Sequence, residues 1–197
     1  MSKKELIIKA KAKLNSSRTK QEVFDELVAE FNEKPITIAN FLKLTPTRAI
    51  KDKYRFFQIA ALVLVLTLVL TQVLHYQAGH YPNVTTLWIV LRVVLVLIII
   101  TGITSYDARM FLAIAILAFV HGFRLITTLG LEYLTNLYLV DIAVCILLVI
   151  VGLFLRIKLE TKYKEELIDE QGEEGITRKV SKIIFEEIKA NKNDILD

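Results

Sequence analysis

From Phe56 to Leu155 the chain is almost continuously apolar, whereas on either side of that stretch charged and apolar residues are interleaved. Soluble cores mix the two kinds of position throughout, so segregation on this scale implies that the middle of the chain has a different solvent from its ends. Four runs in the middle approach the roughly 20 residues that a helix needs to cross a hydrocarbon layer of about 30 Å. They are Phe56–Leu74, Leu87–Thr104, Met110–Leu129 and Leu137–Leu155. Strands are a poor alternative, because the period-two alternation of a membrane barrel is absent and because backbone groups in lipid must be paired within their own segment. The fold class predicted is all-α: a polytopic membrane protein with a four-transmembrane-helix bundle at 56–156. A helical cytoplasmic N-terminal region at 1–55 and a helical cytoplasmic C-terminal tail at 157–197 flank it.

Aromatic and basic residues orient the spans. Tyr54, Phe56, Phe57, Tyr76, Tyr81, Trp88, Tyr106, Tyr133 and Tyr138 cluster at the span ends, where amphipathic rings favour the headgroup level. The stretches His75–Thr86 and Gly130–Asn136 hold no Lys or Arg, the turn Ser105–Arg109 holds Arg109, and both tails are rich in them. Lys and Arg stay cytoplasmic, so both termini and the 105–109 turn are expected inside, in a bacterial inner membrane or its equivalent. Short loops make consecutive spans antiparallel neighbours, with Asp107 capping the third helix.

The tails carry helical signals. Ser2–Leu14 has few breakers, Thr19 to Glu22 fits a capping box, and Val23, Phe24, Leu27, Val28 and Phe31 recur at helical spacing. Ile36–Leu44 forms a second short helix between Pro35 and Pro46, and Thr47–Arg55 leads into the first span. Lys43, Arg48, Lys51, Lys53 and Arg55 are candidate contacts to anionic lipid headgroups, worth about 1 kcal/mol each near the surface. The C-terminal tail is predicted to continue the last span as helix through Lys158–Asp169 and to break at the Gly172/Gly175 stretch. A final amphipathic helix would then carry a docking face of Ile176, Val180, Ile183, Ile184 and Ile188. A helix this short needs a surface to dock on: the basic N-terminal tail, another copy or a cytoplasmic protein partner.

Composition adds limits. Hydrophobic residues make up 54% of the chain, above the usual share for a soluble domain, and the net charge of +4 hides a basic N-terminal tail and an acidic C-terminal one. No compact basic stripe supports a nucleic-acid partner, and Lys43 alone cannot make Ile36–Leu44 a recognition helix. A single cysteine, Cys145, lies in an apolar run and permits neither an internal disulfide nor a cysteine metal site. His75 and His80 in the first outer stretch are too few for a metal, and Asn83-Val84-Thr85 is a glycosylation tripeptide of consequence only in a secretory-pathway cell. No cofactor or catalytic motif is recognisable.

The candidate chemistry is a polar layer inside the spans: Arg92, His121, Arg124 and Asp141, from three helices, all roughly 6–12 Å below the outer surface by residue count. Ionisable residues at such depth are costly and usually face the bundle interior. Snorkelling arginines with Asp141 as partner are the plainest account, and a proton, ion or ligand site is the sharper one, with Thr127, Thr128, Glu132 and Asn136 at its mouth. Ala115, Ala118 and Gly122 give the third span a close-packing face. The function expected is that of a small non-enzymatic membrane protein, homo-oligomeric, that signals or senses through its tails or gates a small pore. Its size fits a prokaryotic stress or defence component. The alternatives are a small transporter or proton-coupled carrier using the Arg/His/Asp layer, and a lipid-modifying membrane enzyme.

Overall fold

The structure is a computed structural model that describes residues 3–16, 18–31, 34–77, 86–129, 136–171 and 177–186. The chain is mostly helical. In order it forms α1 (Lys3–Asn15), α2 (Lys20–Glu30), α3 (Pro35–Leu44), α4 (Arg48–Lys53), α5 (Arg55–Gln77), α6 (Thr86–Thr104), α7 (Ala108–Leu129), α8 (Asn136–Leu159), β1 (Tyr163–Gln171) and β2 (Thr177–Phe185). These make two compact units, one from Met1–Asp52 together with Leu159–Asp197, the other from Lys53–Lys158.

In the first unit the tails fold together. Thr19 caps α2 through its hydroxyl, which accepts from Glu22 N–H, while the Glu22 carboxylate accepts from Thr19 N–H. Two otherwise orphaned donors are thereby satisfied. Pro35 occupies the first turn of α3, where its missing N–H costs nothing. Leu6, Ala10 and Leu14 of α1 lie one turn apart and meet Val23, Phe24, Leu27 and Phe31 and then Ile38, Ala39 and Leu42 in one buried core. Lys20 is buried too. Its ammonium donates to the carbonyls of Leu42 (2.6 Å) and Lys43 (3.4 Å), so a cation satisfies acceptors at the negative end of the α3 dipole.

The C-terminal tail departs from the all-α expectation. The helix α8 stops at Leu159, and β1 and β2 form an antiparallel hairpin in register from Tyr163↔Phe185 to Gln171↔Thr177. Val180 and Ile184 fit a period of two as well as one of 3.6, Ile183 falls on the opposite face of a strand, and β-branched side chains favour the strand. The decision comes from tertiary packing. Ile183 and Phe185, two apart and on one face, are buried against α2 and α3, with Phe24 and Phe185 edge to face at 5.7 Å. Gln21 of α2 then closes the open edge of β2, donating to the Ile183 carbonyl (3.2 Å) and accepting from Phe185 N–H (3.0 Å). Of the predicted docking face, Ile183 is buried, Ile184 half-buried and on the opposite face, and Val180 is placed by its pairing with Ile168. Ile176 and Ile188 lie outside the described residues. The surface that receives this tail is the N-terminal tail: Tyr163 Oη donates to Asn40 (2.9 Å), Thr161 N–H to the Lys43 carbonyl (3.0 Å), and Lys43 pairs with Glu160 (2.7 Å).

In the second unit, α5, α7 (over Ala108–Thr127) and α8 are long and apolar enough to cross a membrane, and Leu91–Thr104 of α6 is a shorter apolar helix. The first helix extends past the predicted Leu74 to Gln77, so His75 belongs to a helix and not to a loop. Between α6 and α7 the chain reverses in three residues. Tyr106 takes a positive φ of 55° so that its N–H reaches the Ile103 carbonyl (3.1 Å) and Asp107 N–H reaches Gly102 (3.3 Å). This is the double hydrogen bond that ends helices at a left-handed residue, here without the usual glycine. Asp107 then caps α7 by accepting from Arg109 N–H (3.0 Å).

The predicted small-residue face of α7 is used against α8. A β-carbon on Gly122 would lie 3.1 Å from the Cys145 β-carbon, and one on Gly152 would lie 2.8 Å from the Phe111 carbonyl oxygen and 3.1 Å from Ala115. The two close approaches sit two turns apart on each helix, in antiparallel order. Ala115, Ala118 and Gly122 are buried, as is Cys145. Elsewhere α5 meets α8 through Phe57 and Phe154 (centroids 4.7 Å), and α6 through Gln58, which donates to the Ile103 carbonyl (2.8 Å).

Candidate functional site

Polar side chains from α5, α6, α7 and α8 converge near one end of the second unit. The centre is Asp141, in the second turn of α8. Its Oδ2 accepts from His75 Nε2 of α5 at 3.0 Å, and both side chains have 0% exposure. The His75 ring is stacked on Tyr138 of α8, centroids 4.2 Å apart, which fixes the imidazole plane one turn before Asp141. Gln72, one turn before His75 on the same face of α5, links the rest. Its amide nitrogen lies 3.3 Å from Asp141 Oδ2 and 3.3 Å from His121 Nε2 of α7, and its carbonyl oxygen accepts from Arg92 of α6 at 3.5 Å. The second carboxylate oxygen, Asp141 Oδ1, is buried without a hydrogen-bond partner among the described residues.

The chemistry of the partners fixes how Gln72 points. A guanidinium only donates and a carboxylate only accepts, so the Gln72 carbonyl must face Arg92 and its amide must face Asp141. The nearest nitrogen of His121 is then an acceptor, which places the proton of a neutral ring on Nδ1. Burial is graded across the cluster: His75 and Asp141 are enclosed, Gln72 and His121 half-buried, and Arg92 exposed. Burying a carboxylate is expensive unless it is paired, and here an imidazole and an amide supply two donors to one oxygen.

Three of the four residues nominated for the polar layer, Arg92, His121 and Asp141, are thus joined in one network. The fourth, Arg124, is exposed one turn further along α7. His75 and Gln72 are members that the sequence reading left out, His75 because the span was ended at Leu74 and Gln72 because it is uncharged. The signal that would have found them is their i, i+3 spacing on an otherwise apolar helix, with Thr71 beside them also buried. Of the expected mouth, Thr127 is spent on the Phe123 carbonyl (3.0 Å) and Asn136 is exposed at the start of α8. The Thr128 side chain and Glu132 lie outside the described residues, as do His80 and the Asn83 tripeptide.

The basic residues nominated for lipid headgroups divide. Lys43 is paired with Glu160, Lys51 donates to Asn15 Oδ1 (2.8 Å), and Arg48 faces Asp52 at 3.8 Å. Burial, reinforced by nearby Lys11, pushes the Lys51 ammonium below the usual lysine value. Lys53 and Arg55 are exposed. Among the described residues, no group of three or more His, Cys, Asp or Glu side chains is disposed to hold a metal ion. A shallow open groove of about 430 Å³ between α6 and α7, lined by Val94, Leu97, Ile98, Gly102 and Met110, runs from the middle of α6 to the turn between the two helices.

No protein-family model, no curated protein and no solved structure matches the chain, so its function is argued from this geometry alone.

Proposed function

We propose that the chain is a small non-enzymatic integral membrane protein that crosses the bilayer four times and senses or relays a signal between its intramembrane polar cluster and a cytoplasmic domain made of both tails. In this reading α6 is the fourth crossing. Its 19 residues reach about 28 Å at ~1.5 Å per residue, close to the hydrocarbon thickness. The spans run α5–α6–α7–α8 in antiparallel order, with the cluster toward the outer face.

The observation that carries the reading is the place of Asp141. It sits at the buried centre of a network drawn from four helices, on the helix whose last residue, Leu159, opens the unit formed by the tails. Closure around Asp141 favours a sensor over an open pore. Homo-oligomerisation and capture of a cytoplasmic protein by the tail domain remain part of the proposal as ways of passing the signal on.

Hydrogen exchange of the full chain in lipid nanodiscs tests it, comparing wild type with Asp141→Asn. Amide protection around α2, α3 and β2 is expected to differ while insertion is retained. Identical protection in an inserted variant would remove the relay. Light scattering on the same samples gives the oligomer mass. The carrier reading is favoured by one observation, Asp141 Oδ1, which is buried without a hydrogen-bond partner among the described residues. It predicts proton or ion flux in proteoliposomes that Asp141→Asn abolishes.

A further inference from the structure

We propose that His121 is the site at which the membrane unit binds a proton, and that Gln72 is the side chain that detects it. This rests on the membrane reading above and specifies what the cluster senses.

Gln72 is held in one orientation by its partners. Its amide donates toward both Asp141 Oδ2 and His121 Nε2, and its carbonyl accepts from Arg92. That arrangement satisfies every partner only while His121 Nε2 carries no proton. When His121 takes one up, both ring nitrogens become donors, and an N–H then confronts the N–H of Gln72. Turning the amide over repairs that contact and spoils the other two. Its oxygen would face the Asp141 carboxylate, and its nitrogen would face the Arg92 guanidinium. One proton therefore leaves no orientation of Gln72 that suits α6, α7 and α8 together, and side chains on at least one of those helices must move.

The surroundings of His121 suit this role. The titratable and charged groups about it are Asp141 on α8, Arg92 on α6, Arg124 on α7 and His75 on α5. His121 is half-buried whereas His75 is enclosed, so His121 is the histidine that a proton from outside reaches first. The Asp141 pair behind it gives the displaced amide hydrogen bond something to act on: among the described residues, Asp141 Oδ2 would keep only His75, and Oδ1 has no partner.

The test is a pH titration of the full chain in lipid nanodiscs by nitrogen NMR with labelled histidine and glutamine, signals being assigned with His121→Gln and Gln72→Leu. At high pH the His121 Nε2 signal should be that of an unprotonated ring nitrogen. As pH falls it should become protonated, and the Gln72 side-chain amide should shift with the same midpoint. Gln72→Leu removes a donor to the neutral ring and the repulsion of the charged one. Proton affinity of His121 should therefore rise in that variant, on the order of fivefold. A protonated Nε2 at high pH, a Gln72 amide that stays still while His121 titrates, or no titration before the fold is lost would each overturn the proposal. If Gln72→Leu does not fold, the wild-type titration decides alone. Extraction of the protein from membranes by alkaline carbonate would defeat the membrane reading itself, an outcome separate from any of these.

Discussion

The two units both bury apolar residues but differ in what covers them. In the unit formed by the tails, twelve buried residues from Leu6 to Phe185 make an apolar core, and ion pairs such as Lys13–Glu26 and Lys9–Glu30 lie on the surface. In the unit of α5 to α8, large apolar residues cover the outside, among them Leu70, Leu97, Phe123 and Ile150, while His75 and Asp141 are buried with no exposure. Water explains the first arrangement through the hydrophobic effect. It cannot explain the second, in which the outside would be a continuous apolar patch far larger than soluble proteins tolerate. The proposed lipid surrounding does, because lipid leaves apolar side chains at no cost outside and penalises an unpaired carboxylate anywhere. Burial therefore means different things in the two units: area removed from water in one, close backbone approach and paired polar groups in the other.

The comparison can be broken in three ways. Phe185→Ala should have the largest effect and should strike only the tail unit. It deletes a buried ring packed on Phe24 at the base of a two-stranded hairpin, and such truncations cost about 3–5 kcal/mol. Proteolysis within β1 and β2 should accelerate while insertion of α5 to α8 is unchanged. Next is a pair of lysine substitutions at residues of similar exposure. Ile150 in α8 is 58% exposed and Ile8 in α1 is 68% exposed. Ile150→Lys should cost roughly 2.5–3.5 kcal/mol in an insertion assay, and Ile8→Lys should change tail stability by less than about 0.5 kcal/mol. Equal effects would erase the distinction between the units.

The smallest effect is pH dependence confined to the tails. The hydrogen bond from Lys13 holds Glu26 and Glu30 below the ordinary carboxylate value of 4.5, and raises Lys13 in turn. Carboxylates lowered by folding contribute stability that is full above 4.5 and is lost as pH falls through their lowered values. These groups are at the surface, so the loss should be slight and should diminish further in high salt. Chemical denaturation of the tail unit followed from pH 7 to pH 3, at two salt concentrations, checks it.

How much of this was legible in the sequence depended on whether the deciding interaction was local. The capping box of α2 and the Asp107 cap are local devices, and each appears where it was read, whereas Pro35, read as a break before Ile36, is taken into the first turn of α3. The hairpin was not legible, because Ile183 and Phe185 become a strand through a face supplied by α2 and α3, far away in the chain. The polar layer was legible as far as it was charged, since Arg92, His121 and Asp141 stand out from apolar surroundings. Gln72 and His75 complete it and were missed, one for having no charge and the other for lying just beyond a boundary drawn at Leu74.

The most direct test of the apolar-coated unit is labelling from outside intact cells or right-side-out vesicles with a membrane-impermeant maleimide, in a Cys145→Ala background carrying Ile8→Cys or Ile150→Cys. Cysteine at position 8 is expected to react only after the membrane is permeabilised, and cysteine at position 150 to stay unreactive until the protein is denatured. Rapid labelling of position 150 in sealed membranes, or of position 8 without permeabilisation, would contradict the account.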